Sequence, residues 1–314
     1  MSLTKNINIG LVGAGNIAQE YLKVIKDLKN VRCAAIFSRT PSRVKPFYKK
    51  YQIGKICYSI EEFLNQDNLD GIIIAINSES VLKVLKNLKN KKIPIMIEKP
   101  VGINFSESLL IKKLISKYKS NIFVALNRRF YSSTIKAKKI ISNEPSKRFI
   151  KITDQQNQKH KSQILNSNLM YANSIHLIDF ISVFARGKIT KIKKIKKYKK
   201  NKFHEIITKI YFSSQDEAIY YCNWNSPGSW SLDIIQNKQR CELKPLEDLT
   251  HETINNKNRI IRTKFLRDKK DNKYKPGFYL MVKNFENLIK GKTNTIVKFT
   301  EYFKTVNLIK KIYE

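Results

Sequence analysis

Glycine, tryptophan and acidic side chains are scarce in this sequence. Its 314 residues hold 10 glycines, 2 tryptophans and 25 Asp and Glu against 61 Lys and Arg. The four cysteines (Cys33, Cys57, Cys222 and Cys241) lie far apart with no C-x-x-C pair. That spacing argues against a disulfide framework or a zinc site, fits reduced thiols, and leaves no metal expected. No apolar run approaches the roughly 18 residues of a membrane span. The most continuous run, Gly71–Ile76, is strand-sized. The first apolar segment reads as a strand rather than a signal peptide, so a cytoplasmic protein with no membrane partner is expected. No internal repeat is seen.

The shortage of acid leaves a net charge of +36, which raises the question of polyanion binding. Up to Leu126 there are 21 basic and 9 acidic residues, and beyond it 40 and 16, so the excess is spread rather than gathered in one arm. Lys, Ile and Asn are abundant throughout, which favours a compositional bias over specific nucleic-acid binding. A basic nucleic-acid-binding protein stays as the alternative, and a steep salt dependence of binding would mark it. The densest run, Lys191–Lys200, carries seven lysines interleaved with Ile192, Ile195 and Tyr198. It reads as a solvated edge strand, where lysines block edge-to-edge pairing, ahead of a nucleic-acid stripe.

What is present begins at Ile7–Val12, a buried strand running into Gly13-Ala14-Gly15-Asn16-Ile17-Ala18. A helical stripe follows at Ile17, Tyr21, Val24, Ile25 and Leu28. The pattern G-x-G-x-x-A between strand and helix has a mechanism. Gly13 permits the tight turn, Gly15 lets a pyrophosphate approach the backbone, and Ala18 lets the helix pack closely on the strand. The N–H groups opening the helix, from Asn16 and Ile17, face the phosphates.

Length allows two domains at about 150 residues each, divided here as 1–126 and 127–314. The first alternates strands and helices. Strands are expected at Val31–Phe37, Gly71–Ile76, Ile93–Ile97 and Asn121–Leu126. Helices are expected near Val44–Tyr51, after the Ser59 and Glu62 capping pair, from Val81 and over Ser106–Tyr118. Continuous apolar strands between helices imply a parallel, doubly wound Rossmann sheet with its ligand at the strands' carboxyl ends. After a helix at Ser132–Ile141, a strand at Arg148–Thr153 and a helix at Asn173–Ala185, the second part turns β-rich. Strands are expected at Ile189–Tyr198, Ile206–Phe212, Ala218–Trp224, Ser231–Gln236 and Arg240–Leu243, with a turn at Asn225-Ser226-Pro227-Gly228. Helices near Gly277–Ile289 and Thr300–Tyr313 close the chain. The fold class is α/β: an N-terminal Rossmann sheet and a C-terminal α+β domain with an open, mostly antiparallel sheet.

At the end of the second strand, where an acidic residue would bind the 2′-hydroxyl of NAD, stand Ser38-Arg39-Thr40 with Arg43 close by. A hydroxyl and guanidinium groups suit a 2′-phosphate, so NADP is the first choice and NAD the alternative. Ile76 and Asn77, after the fourth strand, and Glu98 and Lys99, after the fifth, complete the candidate cofactor contacts. In Glu98-Lys99-Pro100 the proline holds Lys99 extended, and a cis Lys99–Pro100 bond would fix its direction further. An ammonium group beside an oxidised nicotinamide can exchange protons near neutrality. His176 lies in a helical Asn173-Ser174-Ile175-His176-Leu177-Ile178-Asp179, where Asn173 and Asp179 are each three residues away. His160, His204 and His251 read as surface or structural.

Taken together, G-x-G-x-x-A, Glu-Lys-Pro about 85 residues later and the helical N-S-I-H-L-I-D resemble the glucose–fructose oxidoreductase, inositol dehydrogenase and MocA family. Asn127-Arg128-Arg129-Phe130-Tyr131 and the helix after Lys275-Pro276-Gly277-Phe278 extend the likeness along the chain. The resemblance implies an NAD(P)-dependent oxidoreductase with Lys99 and His176 catalytic. It also implies Asn127, Arg129, Tyr131 and Asn173 as substrate contacts, and a homo-oligomer, dimer or tetramer, formed through the open sheet. Many relatives carry an aspartate where Ala172 stands, and a histidine-containing loop where Asn77-Ser78-Glu79-Ser80 stands. These departures point from inositol and glucose towards activated or amino sugars, in the manner of surface-polysaccharide enzymes. A non-catalytic nucleotide-sensing regulator of the same fold is the other reading.

Overall fold

The computed structural model describes residues 6–119, 121–156, 168–199, 202–224 and 226–314. His160, Lys200 and Asn225, named above, lie outside them, as does the side chain of His204. The chain forms two compact units. One comprises Met1–Asn127 with Lys273–Phe303, the other Arg128–Asn272 with Lys304–Glu314. A division at residue 126 therefore leaves out a segment, Lys273–Phe303, that packs with the first unit.

In the first unit, six strands are β1 (Ile7–Val12), β2 (Val31–Phe37), β3 (Lys55–Cys57), β4 (Gly71–Ile74), β5 (Ile95–Glu98) and β6 (Ile122–Ala125). A late two-residue strand, β15 (Val297–Lys298), joins them, giving the order β15-β6-β5-β4-β1-β2-β3. All neighbours are parallel except β15, which pairs antiparallel with β6. Strands β1, β4 and β6 are buried at every residue, as crossover helices on both faces require. The intervening helices are α1 (Asn16–Asp27), α2 (Lys45–Tyr48), α3 (Ile60–Leu64), α4 (Val81–Leu88) and α5 (Phe105–Tyr118). Ser59 caps α3 by accepting from the Glu62 N–H, and Glu62 accepts in return from the Tyr58 N–H. The strand order reverses between β1 and β4, where ligands bind such sheets.

In the second unit, α6 (Ser132–Ser142) precedes β7 (Phe149–Gln156), and α7 (Ile175–Phe184) follows. Seven more strands are β8 (Ile189–Lys199), β9 (Lys202–Phe212), β10 (Glu217–Trp224), β11 (Ser231–Gln236), β12 (Gln239–Leu243), β13 (Leu249–Ile254) and β14 (Ile260–Phe265). The sheet runs β14-β13-β12-β11-β7-β10-β9-β8, antiparallel but for the parallel pair β7 and β10. Strands β13 and β14 were not expected from the sequence. Their residues are mostly half-buried or exposed, so no apolar alternation marks them. The short α8 (Lys269–Lys273) leads to α9 (Phe278–Ile289) and α10 (Phe299–Tyr313).

The lysine-rich β8 is an edge strand, as its composition implies. Two of its lysines have structural work. Lys194 donates to the Lys311 carbonyl at 3.0 Å and Lys196 to that of Tyr313, so both cations sit where the carbonyls ending α10 need donors. All four cysteines are free and buried, and burial pushes the Cys33 and Cys241 thiols up to about 12. Among the described residues no helix is long and apolar enough to cross a membrane, and no cluster of three His, Cys, Asp or Glu could hold a metal.

Candidate active site

In the first unit the candidate cofactor residues gather at the carboxyl ends of the parallel strands. Gly13, Gly15, Asn16 and Ile17 form the turn from β1 into α1. Gly13 has φ +119°, and a Cβ there would stand 2.2 Å from the Ala75 carbonyl oxygen, so no side chain fits. Gly15 differs: a Cβ would meet nothing within 4 Å, leaving an open cradle beside its backbone. No side chain caps α1, and no acidic residue lies in its first turn. The first N–H groups of a twelve-residue helix thus open on that cradle, an arrangement that fits a pyrophosphate.

Ser38, Arg39 and Arg43 follow β2. The Ser38 hydroxyl accepts from the Thr40 N–H at 3.2 Å, shaping the turn, while Arg39 and Arg43 are exposed. Ile76 and Asn77 follow β4, half-buried and exposed respectively. Asn127, after β6, is buried with its amide donating to the Pro276 carbonyl at 3.1 Å.

Glu98 ends β5 and Lys99 follows, with the Lys99–Pro100 bond cis. The next turn is pinned on both sides: the Val101 N–H donates to the Tyr302 hydroxyl at 2.9 Å, and the Ser108 hydroxyl donates to the Val101 carbonyl at 3.0 Å. Tyr21, read from the sequence only as part of an apolar stripe, is buried and donates its hydroxyl hydrogen to Glu98 Oε1 at 2.5 Å. Burial raises the Glu98 carboxyl above its ordinary range, against the opposing pull of Tyr21, Lys99 and Lys275. The only sequence signal for this contact was a hydroxyl-bearing ring among aliphatic positions.

Arg129, Tyr131, Asn173 and His176 belong to the second unit. His176 lies on α7 and is 5% exposed. One turn on, Asp179 takes a two-pronged ion pair from Arg129, Nε to Oδ2 at 2.6 Å and Nη2 to Oδ1 at 2.7 Å, and a hydrogen bond from Thr305 at 2.9 Å. Arg129, expected to touch substrate, also braces the helix that carries His176. Asn173 differs from expectation. Met170–Ser174 is a π-helical turn, so the regular α-helical spacing assumed between Asn173 and His176 does not hold. His251 shares a hydrogen bond with Gln239 at 3.1 Å on the β12–β13 pair, a structural setting.

Residues 7–126 match the model of the GFO_IDH_MocA oxidoreductase family, NAD-binding Rossmann fold. This stretch is thus similar to the nucleotide-binding domain of the Gfo/Idh/MocA oxidoreductases. Among its relatives, the uncharacterized oxidoreductase YrbE of Bacillus subtilis (strain 168) is 28% identical over 141 residues, 45% of this chain and 41% of YrbE. The chain thus matches about two-fifths of that relative's length. A dehydrogenase structure from Chromobacterium violaceum superposes with a TM-score of 0.84 at 17% identity, covering 98% of this chain and 94% of the other. An Agrobacterium radiobacter oxidoreductase, solved with NAD+, L-tartaric acid and magnesium, gives 0.78 at 15% identity over 98% and 96%. The likeness of fold to these structures thus covers nearly the whole chain. The family's cofactor is a nicotinamide dinucleotide, which the Gly13–Gly15 cradle suits.

Proposed function

We propose that this protein is an NAD(P)-dependent dehydrogenase or reductase acting on a CH–OH or C=O group of a sugar or nucleotide sugar. The observation that carries the reading is the uncapped N-terminus of α1 behind Gly13 and the open Gly15, on the same strand ends as Glu98 and Lys99. When bound, the nicotinamide supplies or takes up the hydride. Lys99 hydrogen-bonds the reacting oxygen and offsets its developing negative charge. His176 gives or takes the proton, directly or through a water. Asn173 can orient substrate but cannot shuttle a proton. Tyr131 and Asn127 are the further proposed substrate contacts.

NADP is the proposed coenzyme, because Ser38, Arg39 and Arg43 place a hydroxyl and two cations, and no carboxylate, after β2. Copies are proposed to associate through the open face of the eight-stranded sheet, where Ile195, Ile254 and Ile260 are exposed. The setting proposed is cytoplasmic, and the pathway one of surface-polysaccharide synthesis.

The test begins with intrinsic-fluorescence titration, in which NADPH should bind more tightly than NADH. A panel of sugars and nucleotide sugars follows, read at the absorbance band of the reduced nicotinamide. Turnover of one panel member supports the proposal. A tight coenzyme complex that never changes redox state would instead mark a nucleotide-sensing regulator.

A further inference from the structure

Two adjacent arginines in the second unit have different fates. Arg129 spends Nε and Nη2 on Asp179. Arg128 has Nε and Nη1 shielded from solvent with no acceptor for either. Its guanidinium carbon lies 4.3 Å from the centre of the Trp230 ring, and Trp230 is fixed by Nε1 donating to the Gln155 carbonyl at 3.0 Å. Tyr131 accepts from the same guanidinium, while Glu247 and Asp154 act on it only through their charge. Burial lowers the Arg128 pKa from its ordinary value, a sign of how far the group is removed from water. By contrast Arg186 commits all three nitrogens, to Asp216 and to the carbonyls of Pro145 and Ser146.

Buried donors left unmet destabilise a fold and are uncommon without a ligand or water to complete them. Here the unmet donors sit on a cation, and an oxyanion suits it.

We propose that Arg128, stacked on Trp230, receives an acidic substituent of the substrate, a carboxylate or a phosphate. The substrate class is then a sugar acid or sugar phosphate, in preference to a neutral sugar. The assignment of this ligand as substrate rests on the oxidoreductase reading, but the binding site itself does not.

The test is calorimetric titration of the full chain, with and without NADPH, using D-glucuronate, glucose 6-phosphate, UDP and neutral glucose. At least one of the three acids should bind ten times more tightly than glucose. The one that does separates a carboxylate from a sugar phosphate and from a nucleotide diphosphate. Arg128→Gln should bring that acid down to the level of glucose, and Arg128→Lys should restore part of the preference. Trp230→Leu, which leaves the cation in place, should weaken acid binding severalfold, so the proposal survives a folding failure in either position. Equal binding of acids and glucose, or a preference that persists in Arg128→Gln, overturns it. NADPH quenching measured on the same samples should be unchanged by Arg128→Gln. Loss of coenzyme binding in the wild-type chain would sink the oxidoreductase reading without touching the acid-binding result.

Discussion

The Tyr21 hydroxyl and the Glu98 carboxylate are joined at 2.5 Å across 77 residues of sequence. Tyr21 is held protonated, and so a donor, first by its burial and then by the charge of Glu98. Its hydrogen bond favours the ionised carboxyl, so Tyr21→Phe should let burial raise Glu98 still further. The acidic limb of the pH–rate profile should then move to higher pH, and neutral-pH turnover should fall by about tenfold to a hundredfold as Lys99 loses its register. A variant that lowers only the melting temperature, with the limb unmoved, would make Tyr21 merely structural.

Gly13 and Gly15 should separate folding from coenzyme binding. Gly13→Ala drives a Cβ to 2.2 Å from the Ala75 carbonyl oxygen at a φ of +119°, so it should unfold at clearly lower temperature. Gly15→Ala meets open space in the protein and should melt like the wild type. Its coenzyme affinity should nonetheless drop by tenfold or more, because the methyl would fill the cradle. Calorimetric melting and fluorescence titration of both variants check this pair.

Lys99→Ala and His176→Asn should each lower turnover by about two to four orders of magnitude, the range of general acid–base catalysis. If the two act on one proton and one oxygen, the double variant should lose much less than the product of the single losses. Coenzyme binding should survive His176→Asn. Turnover near wild type in Lys99→Ala would remove that lysine from the chemistry.

Asp216 gives a pH-dependent stability. Burial alone would raise its pKa, but the Arg186 side chain and the N–H groups of Arg148 and Arg186 outweigh it and leave the carboxyl below its ordinary value. A lowered folded pKa stabilises above the unfolded value of about 3.9 and is lost as pH falls through the folded one. Asp216→Asn should therefore cost about 3 kcal/mol near neutrality, as expected for removing one partner of a buried ion pair. In urea titrations the gap between variant and wild type should narrow below about pH 4.

Much of the first sheet could be read from the chain because parallel strands covered on both faces leave continuous apolar runs, as in Gly71–Ile74. The second sheet was legible only where one face is buried, as in β10, whose burial alternates along Ala218, Tyr220 and Cys222. Strands β13 and β14 lack that alternation and β15 is two residues long, so neither periodicity nor length marked them. Within the site, glycine chemistry located the coenzyme turn, since only backbone geometry is at stake there. Choosing between Arg128 and Arg129 was beyond the sequence. The distinction depends on which guanidinium meets Asp179, and that partner lies 50 residues away.

Strand β15 has a consequence for how the protein is made. The segment that supplies it also supplies Phe278, whose ring lies 5.0 Å from that of Tyr21, and Lys273, which pairs with Asp27 at 2.6 Å. On the ribosome, the first sheet must wait with its β6 border unpaired and its first helix half-covered until residues 273–303 have emerged. A gene fragment ending at residue 126 should yield a sticky, chaperone-dependent product, and adding residues 273–303 on a short linker should cure it.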